Sequence, residues 1–147
     1  MEYKRTTHSV YSLQYHLVLC TKYRKNCINE EISDRLKKEF KRLIEGRDGE
    51  LISIETAKDH VHMIVSFSPK YAIANEVATL KTVTSRLIRR DYSEYLQQFL
   101  WKGSFWSQSY FIASCGGVSI DVLKEYVETQ NRRPGRPVTK HCNSNIL

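Results

Sequence analysis

Two histidines stand two positions apart in KDHVHMIVSF, residues 58–67. Read as a strand, the stretch alternates. Val61, Met63, Val65 and Phe67 make an apolar face, and His60, His62, Ile64 and Ser66 make the other. Side chains at i and i+2 on a strand share a face roughly 6.6 Å apart, so two imidazoles can converge on one metal ion. On the strand alone, the plainer reading of polar residues on a half-exposed sheet is the stronger one. Two histidines do not complete a site, so a further ligand and a reactive group must come from elsewhere. The last helical stretch, IDVLKEYVETQN, offers both. At about 100° per residue, Ile120, Leu123 and Val127 form an apolar stripe opposite Asp121, Glu125 and Glu128. Tyr126 and Gln130 flank Leu123, one turn apart. A tyrosine at a core edge is ordinary. An amide on the packing face costs free energy unless something satisfies it, and a metal ion or a hydrogen-bonded phosphate would satisfy Gln130.

The elements that must position these residues follow from periodicity. SLQYHLVLC, residues 12–20, alternates as a first strand, with Leu13, Tyr15, Leu17 and Leu19 on one face and Gln14, His16 and Val18 on the other. NEEISDRLKKEFKRLIEG reads as a helix capped by Asn29, stopped by Gly46 and striped by Ile32, Leu36, Phe40, Leu43 and Ile44. LISIETA and the histidine strand form a hairpin. A long helix is expected from about Ile73 to Arg90, burying Ile73, Val77, Leu80, Leu87 and Ile88. Residues 92–104 have no clear period, and FWSQSYFIA, residues 105–113, is the fourth strand. Gly116 and Gly117 break the chain, and Ser119 caps the last helix.

Strand, helix, strand, strand, helix, strand is the ferredoxin-like βαββαβ order of an α+β domain. An antiparallel sheet with both helices on one face leaves the other face open, and His16, His60 and His62 fall on it. One domain is expected over residues 1–133, followed by a flexible basic tail over 134–147.

The 147 residues carry 23 Lys and Arg against 16 Asp and Glu, a net charge of +7, which points to an anionic partner. Nucleic acid fits better than a membrane, because no apolar run approaches the roughly 20 residues of a bilayer span. MEYKRTTHSV has no apolar stretch of signal-peptide type, so a cytoplasmic location is expected. Cys20, Cys27, Cys115 and Cys142 form no CxxC pair, and they read as fillers or lone thiols.

HVH on a strand, followed about sixty residues later by YVETQ on a helix, resembles the single-tyrosine HUH transposases of small bacterial insertion sequences. YSLQYHLVLCTKYRK resembles that family's first strand and basic turn, and GGVSIDVLKEYVETQ resembles its catalytic helix. The likeness spans roughly residues 9–131. It implies that His60 and His62 are paired metal ligands, Gln130 the third, and Tyr126 the nucleophile. The implied cofactor is a divalent ion, Mg²⁺ or else Mn²⁺, which would offset charge on a phosphate. The implied reaction cleaves and rejoins single-stranded DNA at insertion-sequence ends through a 5′-phosphotyrosine link, with end hairpins as recognition marks. Bond energy is kept in that link, and no GxxxxGK[ST] loop for ATP is found. The implied assembly is a homodimer whose sites join histidines of one chain to the tyrosine of the other.

Lys22, Arg24 and Lys25 in the basic turn, and Arg86 and Arg90 on the long helix, are candidate phosphate contacts, the alternative for each cluster being a solvated surface. His16 would touch metal or phosphate, or be a satisfied structural histidine. Trp106 and Tyr110 are candidate stacking platforms, with core packing as the commoner use. The rival function is a non-catalytic nucleic-acid-binding module on the same fold, which needs neither Tyr126 nor Gln130. Replication initiators and relaxases use similar chemistry but often carry paired tyrosines in a different motif order. A two-histidine RNA phosphoesterase needs two H-x-[ST] motifs, which this sequence lacks.

Overall fold

A computed structural model of the chain describes residues 3–100, 102–115 and 120–129. A small hairpin that the sequence did not announce, β1 (Lys4–Arg5) with β2 (Val10–Tyr11), precedes the main sheet. The main elements are β3 (Gln14–Cys20), α1 (Glu30–Glu45), β4 (Glu50–Thr56), β5 (His60–Ser66), α2 (Ile73–Asp91), α3 (Ser93–Leu96), β6 (Phe111–Ser114) and α4 (Ile120–Thr129). The sheet order is β4-β5-β3-β6, with every pairing antiparallel. This is the expected βαββαβ arrangement, with the first and third of its strands, β3 and β5, side by side in the centre. No helix among the described residues is long and apolar enough to cross a membrane.

Local chemistry explains the elements. The Asn29 side chain accepts from the Ile32 amide at 2.8 Å, and Glu30 and Glu31 fill the first turn of α1, as a helix N-terminus favours. Ile32, Leu36, Phe40 and Ile44 are buried beneath the sheet with Leu17, Leu19, Val61, Met63, Val65 and Phe67. The helix does not end on a left-handed Gly46, which keeps right-handed angles (φ −64°, ψ −15°). The reversal falls at Asp48 (φ 59°) and Gly49, where a Cβ would lie 2.7 Å from the Ser66 carbonyl. A buried Glu76 on α2 pairs with Arg47 from this turn and ties it to the second helix.

The fourth strand is shorter and later than expected. Phe105–Ser107 only extend the end of β3: Lys22 N–H donates to Phe105 O, Ser107 N–H donates to Cys20 O, and Trp106 bridges Thr21. The ladder then lapses until Phe111. Ser107 donates its hydroxyl to Ser109 O at 3.3 Å, a local bond that competes with strand pairing. Trp106 is core, packed on Phe105 and Phe40, with Nε1 donating to Thr84 Oγ1 at 2.9 Å. It is therefore closed to base stacking. The unassigned stretch after α2 forms α3 and contributes Leu96 and Leu100 to the same core.

The face away from α1 and α2 is not bare. Val18, Cys20, Phe111, Ala113 and Tyr126 form a second buried cluster there, with Val127 packed against it, so α4 covers part of that face. Of the expected stripe on α4, the Ile120 and Leu123 side chains lie outside the described residues. The same holds for Gly116, Gly117, Ser119, Gln130, Cys142 and the tail 134–147.

Trp106→Phe should lower stability by about 2–3 kcal/mol, from lost volume and from the lost bond to Thr84. Urea unfolding of the two proteins measures this. An unchanged midpoint would show that the indole is not a core anchor.

Candidate active site

Pairing between β3 and β5 sets the site. Cys20 lies opposite His60, Val18 opposite His62, and His16 opposite Ile64. All six residues face away from α1 and α2. The His16 and His62 rings stack with centroids 5.3 Å apart, and His16 Nδ1 meets His62 Nε2 at 3.1 Å. Burial, and then the facing His16, hold the His62 imidazole below its ordinary value of 6.5.

His60 is set by a carboxylate. Its Nδ1 lies 2.8 Å from Asp59 Oδ1. Burial raises the Asp59 pKa, but hydrogen bonds from His60 and Arg24 and the Arg24 charge outweigh it, so the carboxyl falls below its usual range. An ionised carboxylate only accepts, so His60 Nδ1 donates and Nε2 of the neutral ring keeps its lone pair. Two strand-borne imidazoles, one with its tautomer fixed, fit a divalent cation. His16 would have to release His62 Nε2 for that use. Among the described residues no group of three or more His, Cys, Asp and Glu gathers into a metal cluster. Gln130, the third ligand that the resemblance implies, lies outside the described residues.

Tyr126 reaches the same face. It is 0% exposed, with its ring 5.0 Å from Phe111 and packed in the cluster that holds Val18 and Cys20. The histidines thus share a sheet face with the tyrosine, whose ring is covered while α4 is docked.

The basic residues separate into two kinds. Lys22–Arg24 form a 3-10 turn in which Tyr23 (φ 57°) and Arg24 (φ 52°) are both left-handed, at a cost of about 1–2 kcal/mol each. Arg24 does not project into solvent. Its Nε and Nη2 donate to Asp59 Oδ2 at 3.0 and 2.7 Å, and its Nη1 donates to the Val127 carbonyl. Lys22 leans over the Tyr23 ring, with Nζ 5.4 Å from the centroid, and Lys25 is exposed. On α2, Arg86 is exposed and opens on a groove with Lys81, Ser85, Arg89 and Gln108, while Arg90 is exposed and paired with Asp91 at 2.7 Å. Tyr110 is half-buried, with Lys81 Nζ 5.7 Å from its ring centre. Asp59 is the residue that sequence reasoning missed. Its signal was a carboxylate directly before HVH, at the mouth of the hairpin.

The chain is similar to known transposases in sequence and in fold. The family model described as "Transposase IS200 like" matches residues 9–130. The ISDra2 transposase TnpA of Deinococcus radiodurans is 35% identical over 132 residues, covering 89% of this chain and 93% of that protein. The transposase for insertion sequence element IS200 of Salmonella typhimurium is 22% identical over 128 residues, covering 86% and 82%. A crystal structure from D. radiodurans R1, described as a transposase, superposes with a TM-score of 0.77 at 30% identity, covering 87% of this chain and 98% of that one. A REP-associated tyrosine transposase bound to a REP hairpin shares the fold, with a TM-score of 0.54 at 10% identity over 87% and 68% of the chains.

The lowered pKa of His62 has a consequence for stability. The unfolded chain takes up the His62 proton more readily than the folded one, so stability falls as pH drops from about 6.5 through the lowered folded value. Melting temperature should therefore decline between about pH 7.5 and pH 5, and His62→Gln should flatten that decline. An equal decline in both proteins would assign it to other groups.

Proposed function

The chain belongs to the IS200-like transposase family, and we propose that it cleaves and rejoins single-stranded DNA at its element's ends, with Tyr126 as nucleophile. The observation that carries this reading is one sheet face shared by His60, His62 and Tyr126, with His60 fixed by Asp59. His60, His62 and Gln130 would hold a divalent ion, Mg²⁺ or Mn²⁺, which when bound supplies charge neutralisation at the scissile phosphate.

The remaining steps belong to the chain's own residues. A phenol with an ordinary pKa near 10 must lose its proton and lie in line with phosphorus before it attacks. Attack by Tyr126 Oη forms a 5′-phosphotyrosine bond and breaks the bond to the leaving 3′ oxygen. That 3′-OH can later attack another such link and release the tyrosine. The hairpin held by the REP-associated neighbour supports folded single-stranded DNA as the substrate here too. Lys25 and Arg86, both exposed, are the candidates best placed for its phosphates. Lys22 and Arg90 stand beside them with part of their charge spent on Tyr23 and Asp91.

Because Tyr126 is covered in the docked state, α4 must leave that position before attack. We assign its working position to the neighbouring subunit of a two-fold dimer, the commonest closed symmetry. Each site would then join histidines of one chain to the tyrosine of its partner.

With a divalent metal and single-stranded DNA from its element ends, the protein should form an adduct that survives denaturation. Tyr126→Phe should abolish the adduct while hairpin binding stays within about twofold, since only the nucleophilic oxygen is lost. EDTA should stop cleavage. An adduct in the Phe variant refutes the nucleophile, and full activity in EDTA refutes the metal. Hairpin binding with no adduct in the wild type would favour the binding module.

Subunit mixing tests the shared site. Tyr126→Phe subunits and His60→Ala/His62→Ala subunits should each be inactive alone. Verified mixed dimers should regain cleavage, because one of their two sites is whole if the helix works in trans. Proven exchange without recovery would place the helix in cis.

A further inference from the structure

The basic turn and the tyrosine helix are far apart in sequence, yet one guanidinium joins them. Arg24 spends three nitrogens on two elements. Nε and Nη2 fork onto Asp59 Oδ2, and Nη1 donates to the backbone carbonyl of Val127, the residue after Tyr126. Asp59 has its other oxygen, Oδ1, on His60 Nδ1. The links run unbroken from the α4 backbone through Arg24 and Asp59 to the His60 ring.

Three features make this chain of bonds more than a surface ion pair. The Arg24 and Asp59 side chains are 12% and 11% exposed, so water screens them little. The guanidinium is a rigid plane, so shifting the Nη1 acceptor turns the fork on Oδ2 and rotates the carboxylate that sets His60. The two consecutive left-handed residues that aim Arg24 inward are a backbone cost tolerated for this placement.

We propose that Arg24 is a positioning residue that couples the docked place of α4, through Val127 O, to the orientation of His60, through Asp59. Docking α4 and setting His60 are then one event, and releasing the helix loosens the ring. The inference rests on the metal-ligand reading of His60 only for its catalytic consequence.

Hydrogen–deuterium exchange and histidine ¹⁵N spectra of the full chain test it. Arg24→Lys keeps the charge beside Asp59 but loses the fork that also reaches Val127. Amides of 120–129 should exchange roughly tenfold faster, the effect of about one lost charge-assisted hydrogen bond, and the His60 spectrum should lose its fixed Nδ1–H tautomer. A purely structural role for Arg24 would lower the melting temperature and leave the His60 spectrum alone. Wild-type exchange in α4, or an unchanged His60 spectrum, overturns the proposal. If Arg24→Lys does not fold, Asp59→Asn cuts the same chain from the other end. Its amide nitrogen should turn His60 to the Nε2–H tautomer and speed exchange in α4. A turned His60 with unchanged α4 exchange equally overturns the coupling. Mn²⁺ binding followed by electron paramagnetic resonance stands apart: its failure sinks the metal reading and leaves the exchange test intact.

Discussion

The register between β3 and β5 is the constraint on which the rest depends. Side chains on a strand alternate, so pairing Cys20 with His60 and Val18 with His62 decides which face each residue sees. A slip of one residue would drive the histidines under the helices and expose Val61, Met63, Val65 and Phe67. Each of those buried side chains is worth about 1.5–3 kcal/mol, so the slipped sheet lies far above the native one. The core that stabilises the fold therefore also aims the chemistry. No separate device is needed to bring His16, His60 and His62 onto one surface.

What could be read from sequence follows the range of each signal. The Asn29 cap and the α1 stripe are local and strong, and both are found as expected. The alternation in KDHVHMIVSF is equally local, and it placed His60 and His62 on the correct face. The likeness carried by HVH and YVETQ identified the family that the comparisons support. Signals failed where the deciding partner was distant or the segment short. A basic turn reads as a phosphate contact or a solvated surface, because nothing near Arg24 announces that Asp59 and Val127 will take its donors. Val18 looked like a minor member of an open face and Cys20 like a filler or lone thiol, but α4 packs over both. FWSQSYFIA is uniformly strand-like on paper, and its serines break the ladder through a bond that residue counting does not weigh.

The candidate site draws its groups from two layers. Histidines on the two central strands are held by the sheet, by Asp59 and by each other. The tyrosine comes on an outer helix whose cluster is separate from the main core. Detaching such a helix would cost those side-chain contacts and the Arg24–Val127 bond, while the sheet would remain intact. The histidines thus sit in the sheet layer and the tyrosine in an outer one.

Cys20 shares that outer cluster with Tyr126, and burial pushes its thiol up to about 12. At neutral pH such a thiol is almost never ionised, so it resists oxidants and alkylating reagents. The shielding comes in part from the docked helix. Each departure of α4 would uncover the sulfur and return it toward ordinary reactivity. If α4 exchanges between subunits as proposed, the rate of Cys20 modification would report the fraction of molecules with the helix lifted, with no label added to the protein.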